Sequence, residues 1–385
     1  MRPALVLLAA LLAAQQRSPV EDAWDLLAKG SRAEAAALLK KIIAAHPREA
    51  EPRLMLGSIL AEDHDFRQAI PQLSEAVRLA PRSADAHHAL GEALNGSGDK
   101  NAARAEFEKA VALNPAFAPA HESLGLNLLE AGDAAAAKHL DRAIQLYGPK
   151  PESAYVRYLR AKIHTEANEI GKASDQLKQA VALRPDFAEA WSDLGQARKT
   201  LLDSAGALAA FERSVQLEPA NAVAQYRLGA EYLRQDRPGE AVAHLRESYR
   251  LDPKNQSTLY GLQLALRRDG RPDEAREIKE QLGAVLREID RESRDAFAAL
   301  RINNEGAELE KAGNLSAAVA KYREAVRLDP SHPGFRVNLA VALLRTGHWK
   351  EGLAELREAQ RRDPANPQIE AALKDALRQA PPGER

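Results

Sequence analysis

The chain has 385 residues, more than the ~100–200 usual for one globular domain, so it holds several domains or one extended array. Apolar residues make up 45% and aromatic residues only 5%, which favours closely packed Ala- and Leu-rich helices over sheets. The 54 Lys and Arg balance 55 Asp and Glu, so the basic excess typical of a nucleic-acid binder is missing. The sequence has no Cys, which excludes disulfides, thiolate zinc sites and a cysteine nucleophile.

The first segment, residues 1–14, has the pattern of a secretory signal peptide. Arg2 is followed by a continuous apolar run from Ala4 to Ala14 and then by polar residues. The run is too short to cross a bilayer, which needs ~20 residues, and no later segment of the sequence could do so. We expect cleavage after Ala14, although Leu12 is not the ideal small residue, and an exported protein, periplasmic or secreted, in a bacterial envelope. The alternative is that this run is the first helix of the array.

A repeat of 34 residues fills most of the remaining chain. Its clearest mark is a recurring proline, preceded by related residues such as EAVRLAP, KAVALNP and QAVALRP. A proline cannot continue a helix, so each one is expected to end the helix before it. The prolines at this interval are Pro47, Pro81, Pro115 and Pro149, then Pro185, Pro219 and Pro253, then Pro330 and Pro364.

This pattern resembles the tetratricopeptide repeat family, whose unit is two antiparallel helices, A and B. With the proline at position 32, the family expects Gly or Ala at position 8, Ala at 20 and a large apolar residue at 24. Position 8 is Ala23, Gly57, Gly91, Gly125, Ala161, Gly195, Gly229, Gly306 and Ala340, with Gln263 departing from the pattern. Position 20 is Ala35, Ala69, Ala103, Ala173, Ala207, Ala241, Ala275 and Ala318, with Gly352 in the last repeat. Position 24 is Leu39, Leu73, Phe107, Leu177, Phe211, Leu245, Tyr322 and Leu356.

The resemblance implies an all-α fold, a right-handed superhelical solenoid of antiparallel helix pairs. Small residues at positions 8, 20 and 27 would let the two helices of a repeat approach, and stacking would bury the larger residues between repeats. The fourth repeat lacks one residue, which moves its equivalents to Ala136, Leu140 and Ala143.

We count ten repeats, of which repeats 1–8 occupy residues 15–287. The eighth is degenerate, because it lacks the proline and has Lys279 at a core position. The interval from Pro253 to Pro330 equals two repeats plus nine residues, so we expect a linker at 288–296 within a lengthened helix. The apolar residues at helical spacing there are Ile278, Leu282, Val285, Leu286, Ile289 and Phe297.

Repeats 9 and 10 follow at residues 297–364. Residues 365–385 are expected to form a solvating cap helix, from about Gln368 to Gln379, and a C-terminal tail.

No motif for catalysis, a cofactor or a metal stands out. The sequence has no Gly-rich phosphate loop and no H-E-x-x-H. His87, His88, Glu92 and His121 come nearest to a metal site, but packing and surface roles explain these residues better. Because the repeats account for nearly the whole chain, we expect no enzymatic activity, no cofactor and no metal.

In the resembled family, the A helices line a concave groove through positions 2, 5, 9, 12 and 13. The family's Lys–Asn clamp for a C-terminal carboxylate is absent, because position 5 has no Lys. The groove is acidic in repeats 2–4 and has tyrosines beside cations in repeats 5–8, which suits a protein or peptide with acidic and apolar residues. The alternative is that these tyrosines only cover the groove wall. The predicted partner-binding residues are Tyr155, Tyr158, Lys162, Lys199, Tyr226, Arg234, Tyr260 and Arg267.

The leading functional prediction is therefore a non-catalytic protein–protein interaction scaffold. A second is a regulatory or substrate-recruiting subunit of a separate enzyme, such as a glycosyltransferase or a polysaccharide-export machine. A third is an oligomer built by end-to-end stacking, which the polar cap helix with Lys374, Asp375 and Arg378 disfavours. We expect a monomer or a weak oligomer.

Overall fold

A computed structural model describes residues 19–383, which form twenty α-helices and no strand. They divide into two compact parts, here called the first lobe (up to Gln235) and the second lobe (from Asp236). The predicted signal peptide, residues 1–14, lies outside the described residues.

The first lobe contains α1 (Pro19–Ala28), α2 (Arg32–Ala45), α3 (Glu51–Glu62), α4 (Phe66–Leu79), α5 (Ala84–Gly96), α6 (Lys100–Leu113), α7 (Ala118–Glu130), α8 (Ala136–Tyr147), α9 (Ser153–Glu166), α10 (Ile170–Leu183), α11 (Ala188–Thr200), α12 (Ser204–Leu217) and α13 (Ala222–Arg234). The second lobe contains α14 (Pro238–Leu251), α15 (Gln256–Arg268), α16 (Pro272–Lys311), α17 (Leu315–Leu328), α18 (Pro333–Arg345), α19 (Trp349–Arg362) and α20 (Pro367–Gln379).

Within each lobe, consecutive helices pack as the predicted A–B pairs, and the all-helical solenoid fold is confirmed. In the first lobe, for example, α3 packs on its own partner α4 and on the next A helix, α5. Many helices begin at a polar N-cap whose side chain accepts a backbone N–H of the first turn. The residues with this bond are Asp65, Ser83, Asp99, Asp203, Asn221, Asn255, Asn314 and Asn366.

The crossing of the two helices explains the small residues at position 8. A Cβ added at Gly91 would lie 2.5 Å from the Phe107 ring, and one at Gly306 would lie 2.8 Å from the Tyr322 ring. In the fourth repeat Gly125 faces Leu140, which is the register predicted for a repeat with one residue fewer. The alanines at position 20 are completely or almost completely buried: Ala35, Ala69, Ala103, Ala173, Ala207, Ala241, Ala275 and Ala318.

The turn between helix A and helix B needs one residue in the left-handed region. Glycine occupies it in most repeats, as at Gly98 (φ +93°) and Gly313 (φ +80°), because glycine has no Cβ to clash there. Four repeats use another residue at this position: His64, Asn168, Leu202 and Asp236. Leu202 is 84% exposed and has φ +64°, which makes it the least suited of the four.

A recurring side-chain hydrogen bond ties six repeats to the repeat before them. The side chain at position 4 of helix A donates a hydrogen bond to the carbonyl oxygen of the preceding repeat's proline, six residues earlier. The Trp191 Nε1–Pro185 O distance, for example, is 3.0 Å. The position-4 donors are Arg53, His87, His121, Trp191, Gln225 and Arg336. Chemically different side chains therefore donate to the carbonyl oxygen at the same repeat position. The proline at this position lies after the end of helix B.

The second lobe contains one helix that is far longer than the others. Helix α16 has 40 residues and runs through the segment 288–296 without a break. Its first half pairs with α15 as helix B of the eighth repeat, and its second half pairs with α17 as helix A of the ninth. Helix α20 follows the tenth repeat and buries Ile369, Leu373 and Ala376.

Candidate functional site

The candidate site begins with two tyrosines of α9. The rings of Tyr155 and Tyr158 lie 6.3 Å apart, and the Tyr158 ring lies 5.0 Å from the ring of Phe187. The guanidinium carbon of Arg184 lies 3.7 Å from the centroid of the buried Phe187 ring. Both tyrosines are half-buried, so their aromatic surface is fixed in place while part of it faces solvent.

One turn further along α9, the exposed Lys162 extends this aromatic surface with a positive charge. Its Nζ atom lies 5.8 Å from the centroid of the Tyr158 ring, within the range of a cation–π interaction. Burial raises the pKa of Tyr158 to about 12, and the negative charge of Asp193 adds to the shift. The Tyr158 hydroxyl therefore remains protonated at neutral pH and can donate a hydrogen bond.

Beside Lys162, three consecutive A helices (α9, α11 and α13) enclose a cavity of about 310 Å³. The Nη1 atom of Arg227 donates hydrogen bonds across it to Ser192 Oγ at 2.7 Å and Asp193 Oδ1 at 2.9 Å. These contacts join α13 to α11 and compensate the charge of Arg227 within the protein. The residues that line the cavity are Lys162, Thr165, Glu166, Ile170, Asp193, Gln196, Ala197, Thr200 and Arg227.

Two further predicted cations lie near each other at the ends of α11 and α13. Glu231 is 1% exposed, and the Nε atom of Arg234 donates to its Oε2 at 2.9 Å. Burial alone would raise the pKa of Glu231, but hydrogen bonds from Arg234 and Gln235, together with the charge of Lys199, lower it. Arg234 is thus paired with the carboxylate of Glu231. Half-buried Lys199 contributes only a longer-range attraction to the same carboxylate.

The other three predicted residues are distributed over both lobes. Tyr226 is half-buried on α13 of the first lobe. Tyr260 and Arg267 lie on α15 of the second lobe, where Tyr260 is 62% exposed and Arg267 belongs to the last helical turn. The structure therefore brings Tyr155, Tyr158 and Lys162 close together, whereas Tyr260 and Arg267 belong to the second lobe.

A second cavity, of about 440 Å³, lies between the A helices α3 and α5 and is lined by two carboxylates and by no Lys or Arg. Glu62 and Glu92 lie at its rim, with 65% and 50% of their side chains exposed. His88 also lines it; burial lowers the pKa of His88, and its Nε2 atom lies 3.0 Å from Ser123 Oγ. His88 therefore takes part in packing as a neutral ring. Glu62 is paired with Arg32 at 2.7 Å, so Glu92 is the carboxylate that gives the cavity its charge.

The histidines considered as metal ligands have internal partners. The Nδ1 atom of His87 lies 2.5 Å from Glu106, and that of His121 lies 3.1 Å from Nδ1 of His139. Because His121 donates to Pro115 through Nε2, it accepts through Nδ1, so His139 is the donor of this pair. Among residues 19–383, no group of three His, Asp or Glu side chains is arranged to hold a metal ion.

Comparison with family models identifies the repeat. A model of the tetratricopeptide repeat matches residues 20–64, 54–117, 94–152, 158–222, 193–256 and 226–282, which together exceed half of the chain. This chain belongs to the tetratricopeptide repeat family. A second model of the same repeat matches residues 309–376. A search of curated proteins finds no match.

Several solved structures are similar to this chain over part of its length, at low identity. Pseudomonas aeruginosa PilF is 20% identical, with a TM-score of 0.50, and the alignment covers 55% of this chain and 95% of PilF. A tetratricopeptide repeat protein of Cytophaga hutchinsonii is 17% identical, with a TM-score of 0.49 and coverage of 63% and 99%. MamA is 22% identical, with a TM-score of 0.39 and coverage of 43% and 95%. At 20% identity the likeness to PilF shows the fold alone.

As a tetratricopeptide repeat protein, the chain is a scaffold of the protein-interaction type. Within residues 19–383, no helix is both long enough and apolar enough to cross a membrane.

Sequence reasoning missed several side chains that line the α9–α13 cavity, among them Thr165, Asp193, Gln196 and Arg227. The contact between Asp193 and Arg227 could have been predicted from the sequence. The two residues occupy the same position in neighbouring repeats and carry opposite charges.

Proposed function

We propose that this protein is a non-catalytic, exported scaffold that binds an acidic and apolar protein segment on the A helices α9, α11 and α13. The observation that carries the proposal is the aromatic surface of Tyr155 and Tyr158 beside a cavity with the exposed cation Lys162 at its edge. Fixed aromatic surface next to a cation is typical of the residues that contribute most to protein–protein binding.

The charges of this surface indicate the chemistry of the partner. Arg227 and Arg234 are already paired with Asp193 and Glu231, so they add little net attraction. Lys162 has no carboxylate within ion-pair distance among residues 19–383, so its charge is available to a partner above the tyrosines. The cavity itself has no net positive charge, because the exposed Glu166 also lines it. An acidic residue flanked by apolar ones would satisfy Lys162 and cover the tyrosines at the same time.

The carboxylate of Glu92 in the α3–α5 cavity adds a direction to this proposal. Glu92 would repel the acidic part of a partner, and Lys162 would attract it. A bound segment is therefore expected to place its acidic residues over α9–α13 and any basic residues towards α3–α5.

Selection from a phage-displayed library of short random peptides tests the proposal on the full-length chain. We expect the enriched peptides to combine Asp or Glu with Leu or Phe. Binding of a selected peptide should fall by about tenfold or more when Lys162 and Lys199 are both replaced by Glu, because an attractive charge becomes repulsive. Lys178→Glu is the matched control, since Lys178 is exposed on the B helix α10. Enrichment of basic peptides, or equal binding to all variants, would contradict the proposed site.

The exported location rests on residues 1–14 alone. Expression of the full-length gene in a Gram-negative host, followed by N-terminal sequencing of the periplasmic fraction, tests it. Cleavage after Ala14 leaves Gln15 as the first residue. An uncleaved chain that stays in the cytoplasm would show that the apolar run is not a signal.

A further inference from the structure

The fourth repeat contains a cavity that the proposed peptide site does not use. The cavity has a volume of about 640 Å³ and is open to solvent. It lies against α8, and Pro115 and His121 of α7 also form its wall. None of its lining residues belongs to α9, α11 or α13, so the cavity is separate from the peptide site.

The cavity lies where other repeats place an oxygen acceptor. In four repeats, the side chain at position 4 of helix A contacts the side chain at position 23 of helix B, which is Gln or Glu. The contacts are Arg53–Gln72 at 3.1 Å, His87–Glu106 at 2.5 Å, Arg157–Gln176 at 3.3 Å and Arg336–Glu355 at 2.7 Å. An oxygen at position 23 is therefore the usual acceptor for the N–H group of position 4.

The third repeat shows how a carboxylate is held at this place. One oxygen of Glu106 lies against His87, and the other accepts a hydrogen bond from Lys109, at position 26, at 2.7 Å. Burial alone would raise the pKa of Glu106, but the hydrogen bonds from Lys109 and His87 lower it. The carboxylate is thus ionised and lies between a histidine and a cation.

The fourth repeat keeps the histidine and the cation but has no carboxylate between them. His121 and Arg142 occupy positions 4 and 26, whereas position 23 is His139. The Nδ1 atoms of His121 and His139 lie 3.1 Å apart, and Arg142 donates only to the neutral amide of Gln145, at 2.6 Å. All four of these side chains line the cavity.

The cavity has a net positive charge. Lys138 also lines it and lies one helical turn before Arg142, a spacing at which like charges repel. Neither cation has a carboxylate within ion-pair distance in the part of the chain that the structure describes. Asp141 is the one carboxylate among the lining residues, and it is paired with Arg160 at 2.7 Å.

The two histidines add no charge at neutral pH while the cavity is empty. Burial lowers the pKa of His121 and of His139, and the positive charge of Lys138 contributes to both shifts. A bound anion would offset the charge of Lys138 and Arg142. The histidine pair could then take up a proton from solvent at Nε2 of His139 and provide a further donor.

We propose that this cavity binds the carboxylate of a small organic acid, in the place that Glu106 occupies in the third repeat. Arg142 and Lys138 are the donors to the carboxylate, and Pro115 and Ile144 provide apolar surface for the body of the ligand. The volume of the cavity is within the range of small-molecule sites, about 300–1,000 Å³. This proposal is independent of the peptide site on α9–α13.

Ligand-observed NMR titration of the full-length protein tests the site with butyrate and benzoate, and with butyramide and benzamide as their uncharged matches. We expect at least one acid to bind about tenfold or more tightly than its amide, because the cations attract only the anion. Inorganic phosphate tests the type of anion. If neither acid binds more tightly than its amide, or if phosphate binds more tightly than both acids, the proposal is wrong.

Two double variants locate the site. Lys138→Gln with Arg142→Gln should weaken binding of the acid by about tenfold or more. Lys178→Gln with Arg213→Gln is the matched control, because it removes the same charge from other B helices and Arg213 donates to Gln216 as Arg142 does to Gln145. Equal binding by both double variants would place the acid elsewhere and overturn the proposal.

His139→Glu restores to the fourth repeat the carboxylate that the third repeat has. Its side chain should pair with Arg142, abolish binding of the acid and leave the helical circular dichroism unchanged. In the wild type, affinity should rise as the pH falls from about 8 to about 6, because the histidine pair takes up a proton on binding. His139→Gln should lose this rise. Undiminished binding by His139→Glu, or an affinity of the wild type that does not change with pH, would contradict the proposed arrangement.

Discussion

Replacement of Gly91 by Ala tests the helix crossing on which every repeat depends. The added Cβ would lie 2.5 Å from Cε1 and 2.6 Å from Cδ1 of Phe107, well inside the ordinary carbon–carbon contact distance of about 3.5–4.0 Å. Phe107 is 1% exposed, so its ring cannot move aside without disturbing the core around it. Either the ring leaves its preferred position or α5 and α6 move apart.

The expected effect is the difference between two terms. Overpacking of a well-packed core costs about 1–3 kcal/mol. Ala is preferred over Gly within a helix by about 0.5–1 kcal/mol, which opposes that cost. We therefore expect Gly91→Ala to lower the free energy of unfolding by about 1 kcal/mol, and by at most about 2.5 kcal/mol.

Gly171→Ala is the matched control, because Gly171 lies in helix α10 and an added Cβ there meets nothing within 4 Å. This substitution should stabilise by about 0.4–1 kcal/mol, so the two Gly→Ala changes are expected to have opposite signs.

Thermal and urea unfolding followed by circular dichroism measures the two shifts. Repeat arrays need not unfold in one step, so hydrogen exchange of the α5 and α6 amides adds a local readout. Protection there should fall in Gly91→Ala and stay unchanged in Gly171→Ala. If Gly91→Ala is as stable as the wild type, or more stable, the close helix crossing is not the reason for glycine at position 8.

Three further predictions concern the turns, the links between repeats and the histidine pair. Leu202→Gly should raise stability by about 0.5–1 kcal/mol in thermal unfolding, because the left-handed conformation that strains Leu202 suits glycine. Trp191→Phe should lower stability by about 0.5–1.5 kcal/mol in urea unfolding, because the carbonyl of Pro185 loses its indole donor. Burial lowers the pKa of both His121 and His139. The unfolded chain therefore binds protons that the folded chain does not, and the melting temperature should fall as the pH drops below about 6.5.

Each of these predictions has a control. Leu201→Gly, next to Leu202 but at an ordinary φ of −81°, should give no gain. Trp24→Phe should leave stability nearly unchanged, because Trp24 is 55% exposed. The double change of His121 and His139 to Gln should reduce the acid sensitivity, whereas His46→Gln, at an exposed position, should not. If the double variant and His46→Gln lose stability equally as the pH drops, His121 and His139 are not the groups that cause the acid sensitivity.

The repeat fold was predictable because its signals are local and recur. Gly91 and Gly98 each occupy a position whose role follows from steric reasons, and glycine returns 34 residues later at Gly125 and Gly132. The candidate site was predictable only in part. Tyr155, Tyr158 and Lys162 follow one another along a single helix, so their proximity could be foreseen from helical spacing.

Which charges of the site are already paired within the protein could be decided only from the three-dimensional structure. Arg234 was predicted as a partner-binding cation, but the structure pairs it with the buried carboxylate of Glu231. The i,i+3 spacing of Glu231 and Arg234 allows this pair. The burial of Glu231 depends on which face of helix α13 packs against its neighbours, and the sequence does not reveal that.

The sequence alone determined the repeat length, the helix pairs and the presence of a lengthened helix, because steric and helical preferences act within a few residues. Only the tertiary structure decided which surfaces those helices leave open. Leu286, Ile289 and Phe297 read as ordinary helical apolar residues in the sequence, yet they face solvent. Burial depends on what packs against a side chain from elsewhere in the chain, and that information lies in the packing of whole helices.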